Sequence, residues 1–368
     1  MESGHQPSFL ITPHTLDKVI DSEAWPTTFS NHTPFYSWQE GQDSACLVHS
    51  NHTPFSWQEG QDSACLVHST TFNAEFGSAY VMVHCDGLIL FLTDTIAYVF
   101  NPAMHQVLKL PDGQEGVWQL PTVSLGLDPR TNTYKVARLF YRSIDFSKMS
   151  YSVGMEILTI GGDDNDPCWR SVAHDPPLPI DPGSVTHFKG SLYFLIWDEL
   201  VERSPRGIVR FKFEDETFSF ICHKELSSSK GERLYFIELG GELCLAQCYD
   251  GKQVIWMLQF GEAHQWVQQY VIILPEPGLW KFGILSVIQK DVLLICGYNC
   301  LYHYDLARQD TREVVRLRRL RYKNPRAGSF DFVGQDIFNF NIISYTESLI
   351  QVTKPSRDNT CCLPRRIY

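Results

Sequence analysis

A tight-turn signal that recurs about every fifty residues is the feature that most constrains the fold of this chain. Gly190 and Gly241 are 51 residues apart, and Asp291 follows 50 residues later. Gly87 precedes Gly190 by 103 residues, close to two of these steps. Such a period, with several strands in each unit, is typical of propeller blades of the kelch-like length class. Roughly six units of this length fit between residue 75 and the C-terminus.

The residues between the turns have the pattern of short β-strands. After Asp86-Gly87, apolar runs at 88–92, 96–100 and 106–110 are separated by turn residues. Aromatic residues make up 13% of the chain, and 24 Gly and 20 Pro punctuate it. This composition favours strands and turns over helices.

These patterns predict an all-β fold: a kelch-like β-propeller of roughly six four-stranded antiparallel blades, preceded by a short irregular N-terminal segment. A propeller also protects its sheet edges, because the blades close into a ring. A large β-sandwich or two smaller β domains are the alternatives that the strand pattern leaves open.

Two nearly identical segments precede the first blade signal. Residues 31–50 and 51–69 differ only in that the second copy has no counterpart of Tyr36. Blades need to keep only their hydrophobic pattern, so identity over this length indicates a recent duplication of coding sequence. We expect residues 62–72 to supply a strand leading into the first blade, and the first copy to be an exposed insertion. A paired binding site is the alternative interpretation.

Charge and composition limit the partners and the compartment. A net charge of −11 argues against general nucleic-acid binding, although residues 305–326 hold eight Lys or Arg and three Asp or Glu. Leu317, Leu320 and Tyr322 interleave with these arginines, which favours a solvated strand and loop over a docking patch for an acidic partner. No segment has the ~18 uninterrupted apolar residues of a membrane span, and the N-terminus lacks a secretory pattern. Eleven scattered cysteines suit a reducing compartment, so we expect a cytoplasmic or nuclear protein without a membrane partner.

Several turn-and-strand phrases, taken in order, resemble the plant F-box-associated β-propeller family. They are "HCDGLILFLTDTIAYVFNPAMHQVLKLP", "LGLDPRTNTYKVARLFY", "YSVGMEILTIGGDDNDPCWRSV", "VTHFKGSLYFLIWD" and "IVRFKFEDETFSFI". Each phrase is weak alone, but the ordered set is fairly specific. It covers residues 83–223, and the blade period extends it more weakly to the C-terminus.

The resemblance implies a role in protein recognition. Family members usually begin with an F-box that binds the Skp-type adaptor of a cullin ubiquitin ligase, and the propeller then holds the degradation target. In this sequence only "PSFLITPHTLD", residues 7–17, looks like the tail of an F-box. We therefore expect an F-box protein truncated at its N-terminus, which would bind adaptor and cullin only through a longer isoform. The expected segments are a remnant of the F-box tail and linker at 1–29, the duplication at 30–69, the propeller at 70–353 and a tail at 354–368.

No constellation of catalytic or cofactor-binding residues stands out in the sequence. It contains neither a nucleophile elbow nor a zinc-protease helix motif. His84 and Cys85 are neighbours on a strand and should point to opposite faces. The acidic run at 161–166 lacks the glycine and glutamate of a calcium loop and is better explained as a hairpin tip. We expect a non-catalytic protein with no cofactor and no metal.

A propeller can present variable loops on a rigid face, and such loops suit the recognition of a target protein. Small-molecule or carbohydrate binding, an enzymatic propeller, and a non-functional truncated product are the alternative functions. We expect Trp169, Trp197 and Trp256 to pack in the core or between blades. The candidate protein-binding residues, chosen from the loops, are Trp118, Asp163, Asp164, Arg203, Arg206, His264 and Trp280.

Overall fold

The structure is a computed structural model, and the described part of the chain is almost entirely β. It holds 27 strands and two 3-10 helices of three residues, Asp198–Leu200 and Leu317–Arg319. Within this part, no helix has the length and apolarity needed to cross a bilayer. The described residues are 8–18, 28–40, 63–72, 81–93, 96–117, 122–161, 167–202, 205–223, 233–249, 251–261, 264–273, 283–289, 291–297, 300–324, 329–332 and 337–352.

The strands fall into three groups along the chain. The N-terminal group is β1 (Ser8–Lys18), β2 (Thr28–Phe29), β3 (His32–Gln39) and β4 (Ser63–Thr71). The central group is β5 (Val81–Cys85), β6 (Leu88–Leu92), β7 (Ala97–Asn101), β8 (Gln106–Lys109), β9 (Thr122–Asp128), β10 (Thr133–Asp145), β11 (Ser150–Thr159), β12 (Arg170–Ser171), β13 (Thr186–Phe188), β14 (Ser191–Leu195), β15 (Gly207–Lys212), β16 (Phe218–Cys222), β17 (Arg233–Leu239), β18 (Glu242–Tyr249), β19 (Lys252–Gln259), β20 (Gln265–Ile273), β21 (Gly283–Gln289), β22 (Val292–Gly297), β23 (Cys300–Asp305) and β24 (Asp310–Arg316). The C-terminal group is β25 (Arg321–Asn324), β26 (Ser329–Phe332) and β27 (Ile337–Ser344).

The central group forms five antiparallel blades of four consecutive strands each. We number them blades 1 to 5, from β5–β8 to β21–β24. The first strands of these blades contact one another in succession, and β27 contacts both β21 and β5. The six inner strands therefore close a ring. The predicted six-bladed propeller is confirmed, and a sandwich of two stacked sheets is excluded.

The sixth or closing blade joins both ends of the chain. Its inner strand is β27, and the order continues through β1, β3 and β4 to the hairpin β25–β26. The pairing of β4 with β25 is parallel, whereas the other strand pairings described are antiparallel. The N-terminal strands thus supply most of the blade that seals the ring.

The expected F-box remnant at 1–29 is wrong for its described part, because residues 8–18 form β1 inside the closing blade. Phe9, Leu10 and Ile11 are all buried there. A strand that is covered on both faces has consecutive apolar residues, and this run has that pattern. It is therefore typical of a buried strand and not of an F-box helix. The propeller therefore begins at residue 8 rather than at 70, while the expected tail at 354–368 lies outside the described residues.

The described part of the first copy, residues 31–40, is not an exposed insertion. It supplies β3, in which Phe35 and Tyr36 are fully buried and Trp38 is 2% exposed. The second copy supplies β4, the antiparallel neighbour of β3. The blade thus uses the first half of one copy and the second half of the other, and residues 41–62 between them lie outside the description.

The periodic turn signals correspond to the hairpins between the first and second strands of the blades. Positive φ angles occur at both central residues in Asp86-Gly87 (48° and 84°), Lys189-Gly190 (44° and 73°) and Gly240-Gly241 (61° and 77°). This is the type I′ geometry that matches the twist of a hairpin, and it explains why Gly recurs there.

Antiparallel blades place their connections on two opposite faces. The upper face carries the turns between the second and third strands and the connections between blades. The lower face carries the turns between the first and second strands and between the third and fourth strands. This division decides which loop residues can bind one partner together.

Candidate protein-binding site

An exposed aromatic and apolar surface lies on the upper face of blades 2 and 3. Val117, Phe146 and Met149 are 59%, 45% and 47% exposed, which makes them three of the eight large apolar side chains exposed in the described chain. The half-buried Trp197 adjoins Phe146, with its ring centroid 5.5 Å from that of Phe146 in an edge-to-face contact. We call Val117, Phe146, Met149 and Trp197 the aromatic patch.

The hairpin of β10 and β11 presents the two most prominent members of the patch. Its strands have 13 and 10 residues, and Phe146 and Met149 stand at opposite ends of the turn between them. The Asp145 carboxylate accepts hydrogen bonds from the Ser147 N–H at 3.0 Å, the Lys148 N–H at 3.2 Å and the Ser147 hydroxyl at 2.6 Å. This capped turn fixes the backbone from which both side chains project.

Trp197 is fixed by a backbone hydrogen bond and by ring packing. Its backbone N–H donates to the Pro179 carbonyl at 2.9 Å, and its ring contacts the buried Tyr141 ring edge-to-face, with centroids 5.5 Å apart. The Tyr141 hydroxyl in turn donates to the Ile180 carbonyl at 2.6 Å and accepts from the Ile180 N–H at 2.7 Å. Val117 joins the same region, since its N–H donates to the Tyr141 carbonyl at 2.8 Å. A prearranged aromatic surface loses little conformational entropy when it binds.

Three carboxylates border Trp197: Asp181, Asp198 and Glu199. Among the described residues, none of the three forms a salt bridge. Burial, together with the negative charges of Asp198 and Glu199, raises the pKa of Asp181 to about 6. The rim of the aromatic patch therefore carries three carboxylates, and the exposed Arg206 ends the β14–β15 connection that holds two of them.

The structure places two of the sequence-predicted binding residues, and it separates them. Arg206 is exposed on the upper face, at the end of the same β14–β15 connection that carries Trp197 and Asp198. His264 is exposed on the lower face, where its ring lies 5.5 Å from that of Phe260. The two residues cannot contribute to one small surface. The remaining candidates, which lie outside the described residues, are Trp118, Asp163, Asp164, Arg203 and Trp280.

Sequence reasoning missed Phe146 and Met149 and assigned Trp197 to packing. The available signal was a pair of large apolar residues inside the polar turn "DFSKM". The other two tryptophans are structural as expected: the Trp169 ring N–H donates to the Pro111 carbonyl at 2.8 Å, and that of Trp256 donates to the Gln247 side-chain oxygen at 3.1 Å.

The described part of the basic stretch, residues 305–324, is a solvated strand and turn, as expected. Leu317, Leu320 and Tyr322 are buried in the core beside the closing blade, while Arg318 and Arg319 are exposed. Arg316 forms hydrogen bonds of 2.8 and 2.9 Å with Glu313, so part of its charge is locally neutralised.

Cys85 and His187 meet near the lower face, although they are 102 residues apart. The Cys85 sulfur lies 3.8 Å from His187 Nδ1, and a side chain at Gly126 would collide with the His187 ring. Burial raises the pKa of Cys85 to about 12 and lowers that of His187 to about 4. The thiol and imidazole are thus both neutral near pH 7 and do not form an activated nucleophile. In the described residues, no group of three His, Cys, Asp or Glu is arranged to hold a metal ion.

The family model of the F-box associated beta propeller domain matches residues 40–341. This chain belongs to the F-box-associated β-propeller family. The match agrees with the six-bladed ring and with the resemblance in the sequence phrases. The closing blade of this family member also includes β1, β2 and β3, which precede the matched range.

Related proteins come from Arabidopsis thaliana. An F-box/kelch-repeat protein is 23% identical over 224 residues, or 57% of this chain and 49% of the relative. A second protein named for an F-box is 26% identical over 210 residues, or 53% of this chain and 51% of the relative. The matched part of the chain thus spans about half the length of each relative.

Solved structures resemble this propeller only remotely. A post-proline cleaving enzyme from Rickettsia typhi has a TM-score of 0.35 at 12% identity, covering 83% of this chain and 45% of that structure. A similarity this remote carries no argument about activity.

Proposed function

We propose that this F-box-associated propeller is a protein-recognition domain that binds its target through the aromatic patch. The observation that carries the proposal is the pair of exposed side chains Phe146 and Met149 beside Trp197 on a hydrogen-bonded base. Aromatic and flexible apolar anchors supply most of the affinity in protein interfaces. Exposed groups of this kind in a folded protein also mark interaction surfaces.

The same proposal gives the chain a non-catalytic role. The neutral Cys85–His187 pair is not activated for nucleophilic attack. Family membership supports a part in F-box proteins, in which a propeller would present a bound target to a ubiquitin ligase. Contact with a Skp-type adaptor and a cullin would then depend on an F-box in the same protein or in a longer isoform.

A comparative interaction experiment tests the proposal. The wild-type chain, a patch variant carrying Phe146→Ser and Met149→Asn, and a lower-face control carrying Phe260→Ser would be expressed in plant cells and cross-linked to their neighbours. Asn suits position 149 because the native φ there is +48°. Phe260 is a matched control, since it is an exposed aromatic residue on the opposite face.

We expect that the control recovers the same cross-linked proteins as the wild-type chain. The patch variant should recover at least tenfold less of each of them. Equal sets for all three chains, each with an unchanged melting temperature, would show that the upper face does not bind the target.

A further inference from the structure

We propose that the aromatic patch receives a short segment of the target in which a basic residue stands next to an apolar one. This inference rests on the proposed function and adds the chemistry of the recognised segment. It follows from the arrangement of apolar and charged groups around Trp197.

The apolar half of the site is formed by Phe146, Met149 and Trp197. The edge-to-face pair of Phe146 and Trp197 leaves parts of both rings accessible. Met149, across the turn, is unbranched and polarizable, so it can adapt to different apolar side chains. A Leu, Met or aromatic residue of the target would be covered by these three groups.

The charged half of the site is negative. Asp198 and Glu199 directly follow Trp197 in the chain, and both act electrostatically on Asp181. Of the described cations on this face, Arg142 lies 2.9 Å from Asp175 and Lys148 lies 3.3 Å from Asp145. The exposed Arg206 ends the β14–β15 connection, and the three carboxylates outnumber it. The three carboxylates bordering Trp197 therefore provide an electrostatic partner for a Lys or Arg of the target.

The carboxylates stand on a rigid element, which favours a directed interaction over a diffuse charge effect. Asp198 and Glu199 belong to the 3-10 helix Asp198–Leu200, in which Leu200 is buried and the Val201 N–H donates to the Asp198 carbonyl at 3.3 Å. The Asp181 N–H donates to the Leu195 carbonyl at 3.0 Å. A cation placed here would relieve repulsion that the free domain contains. An anionic partner such as a nucleic acid would be repelled.

An array of synthetic dodecapeptides probed with the intact chain tests the proposal. Each peptide carries one variable pair of adjacent residues in a Gly-Ser scaffold, and binding is then measured in solution by fluorescence anisotropy. We expect selection of pairs that combine Leu, Met, Phe or Trp with Lys or Arg. Raising NaCl from about 0.1 to about 1 M should weaken these complexes, because the Debye length falls from about 10 to about 3 Å.

Two charge variants separate this inference from the proposed function. Asp198→Asn with Glu199→Gln removes two carboxylates beside the patch, and Glu214→Gln with Glu347→Gln removes two exposed carboxylates of the lower face. We expect the first variant to bind the selected peptides about threefold to thirtyfold more weakly, as for two exposed ion pairs. The control should bind them unchanged.

Each other outcome overturns a defined part of the proposal. Selection of uncharged or acidic pairs that still depends on Phe146 and Met149 would refute the basic segment and leave the binding face standing. Binding that neither the charge variant nor the Phe146→Ser, Met149→Asn variant affects would refute both. If a cooperatively folded chain selects no peptide at all, a linear basic segment is not what the patch recognises.

Discussion

Single polar side chains hold the turns of this propeller in place. The Asn101 amide donates to the Ser348 and Ile350 carbonyls at 3.0 and 2.8 Å, and its oxygen accepts from the Ala103 N–H at 3.0 Å. One buried side chain therefore closes its own turn and ties down the segment after β27. The Asn-Pro phrase shared with the family thus has a structural role.

A buried ion pair explains another family phrase. The Lys135 ammonium lies 2.6 Å from the Asp128 carboxylate, and both side chains are buried. Burial alone would disfavour the Asp128 carboxylate, but hydrogen bonds from Lys135, Thr131 and the Arg130 N–H hold its pKa below the usual value. The phrase "LDPRTNTYKV" therefore encodes a capped hairpin between β9 and β10, not an acid–base site.

At Asp181 the effect of burial, together with the repulsion from Asp198 and Glu199, should be measurable as pH-dependent stability. Its folded pKa of about 6 lies above the value of about 3.9 in an unfolded chain. Protonated Asp181 thus stabilises the fold below pH 4, and this contribution is lost as pH rises through 6. We expect Asp181→Asn to raise the melting temperature relative to wild type at pH 7.5 and to have little effect at pH 4. A constant difference across this range would show that Asp181 has an ordinary pKa.

At the scale of elements, β3 shows how one residue sets the register of a strand. Phe35 packs in the cluster toward blade 1, while Tyr36 and Trp38 pack in the cluster toward blade 5. Tyr36 lies edge-to-face against Tyr322, with ring centroids 4.8 Å apart. The second copy of the segment lacks this tyrosine, so its tryptophan would fall on the opposite face of a strand aligned at Phe35.

Two deletions that differ by one residue test the composite use of the duplication. Deleting 41–59 retains β3, β4 and Tyr36, whereas deleting 31–50 gives the same sequence without Tyr36. We expect the first deletion to change the melting temperature by less than about 3 °C, because loop length is a weak term. The second should lower it by at least about 8 °C through a lost core tyrosine and a misplaced tryptophan. An exposed first copy would make the two deletions equivalent in thermal melts.

At the scale of the whole molecule, stability depends on closing the ring. β1 pairs with β27 on one side and with β3 on the other, so it connects the C-terminal inner strand to the rest of its blade. Without β1, two strand edges would be exposed, and such edges promote association.

Truncation before residue 19 should therefore open the propeller. We expect the shortened chain to elute as aggregates in size-exclusion chromatography and to lose a single cooperative melt, because the closing blade cannot form. Truncation before residue 8 is the matched control and should remain monomeric with an unchanged melt. A monomeric, cooperatively melting chain without β1 would contradict the assignment of this strand to the closure.

Only part of the candidate site could be predicted from the sequence. The sequence predicted a loop at Arg206 but not which face carries that loop. Phe146 and Trp197 are 51 residues apart and meet only because blades 2 and 3 are adjacent. Cys85 and His187 likewise meet across blade 2 at Gly126, which has no side chain to separate them. Contacts between blades depend on the shape of the ring, which local patterns do not contain.

The sequence by itself determined the strands of blades 1 to 5, their tight turns, the fifty-residue period and the six-blade propeller. These features are local: alternation, Gly at positive φ and turn residues act over a few neighbouring positions. Only the tertiary structure decided that β1, β3 and β4 seal the ring, and which half of each duplicated copy is used. The ring is closed by the strands that pack best against β27 and the neighbouring blades. Their packing energy is a sum over residues from both ends of the chain, so local patterns do not reveal it.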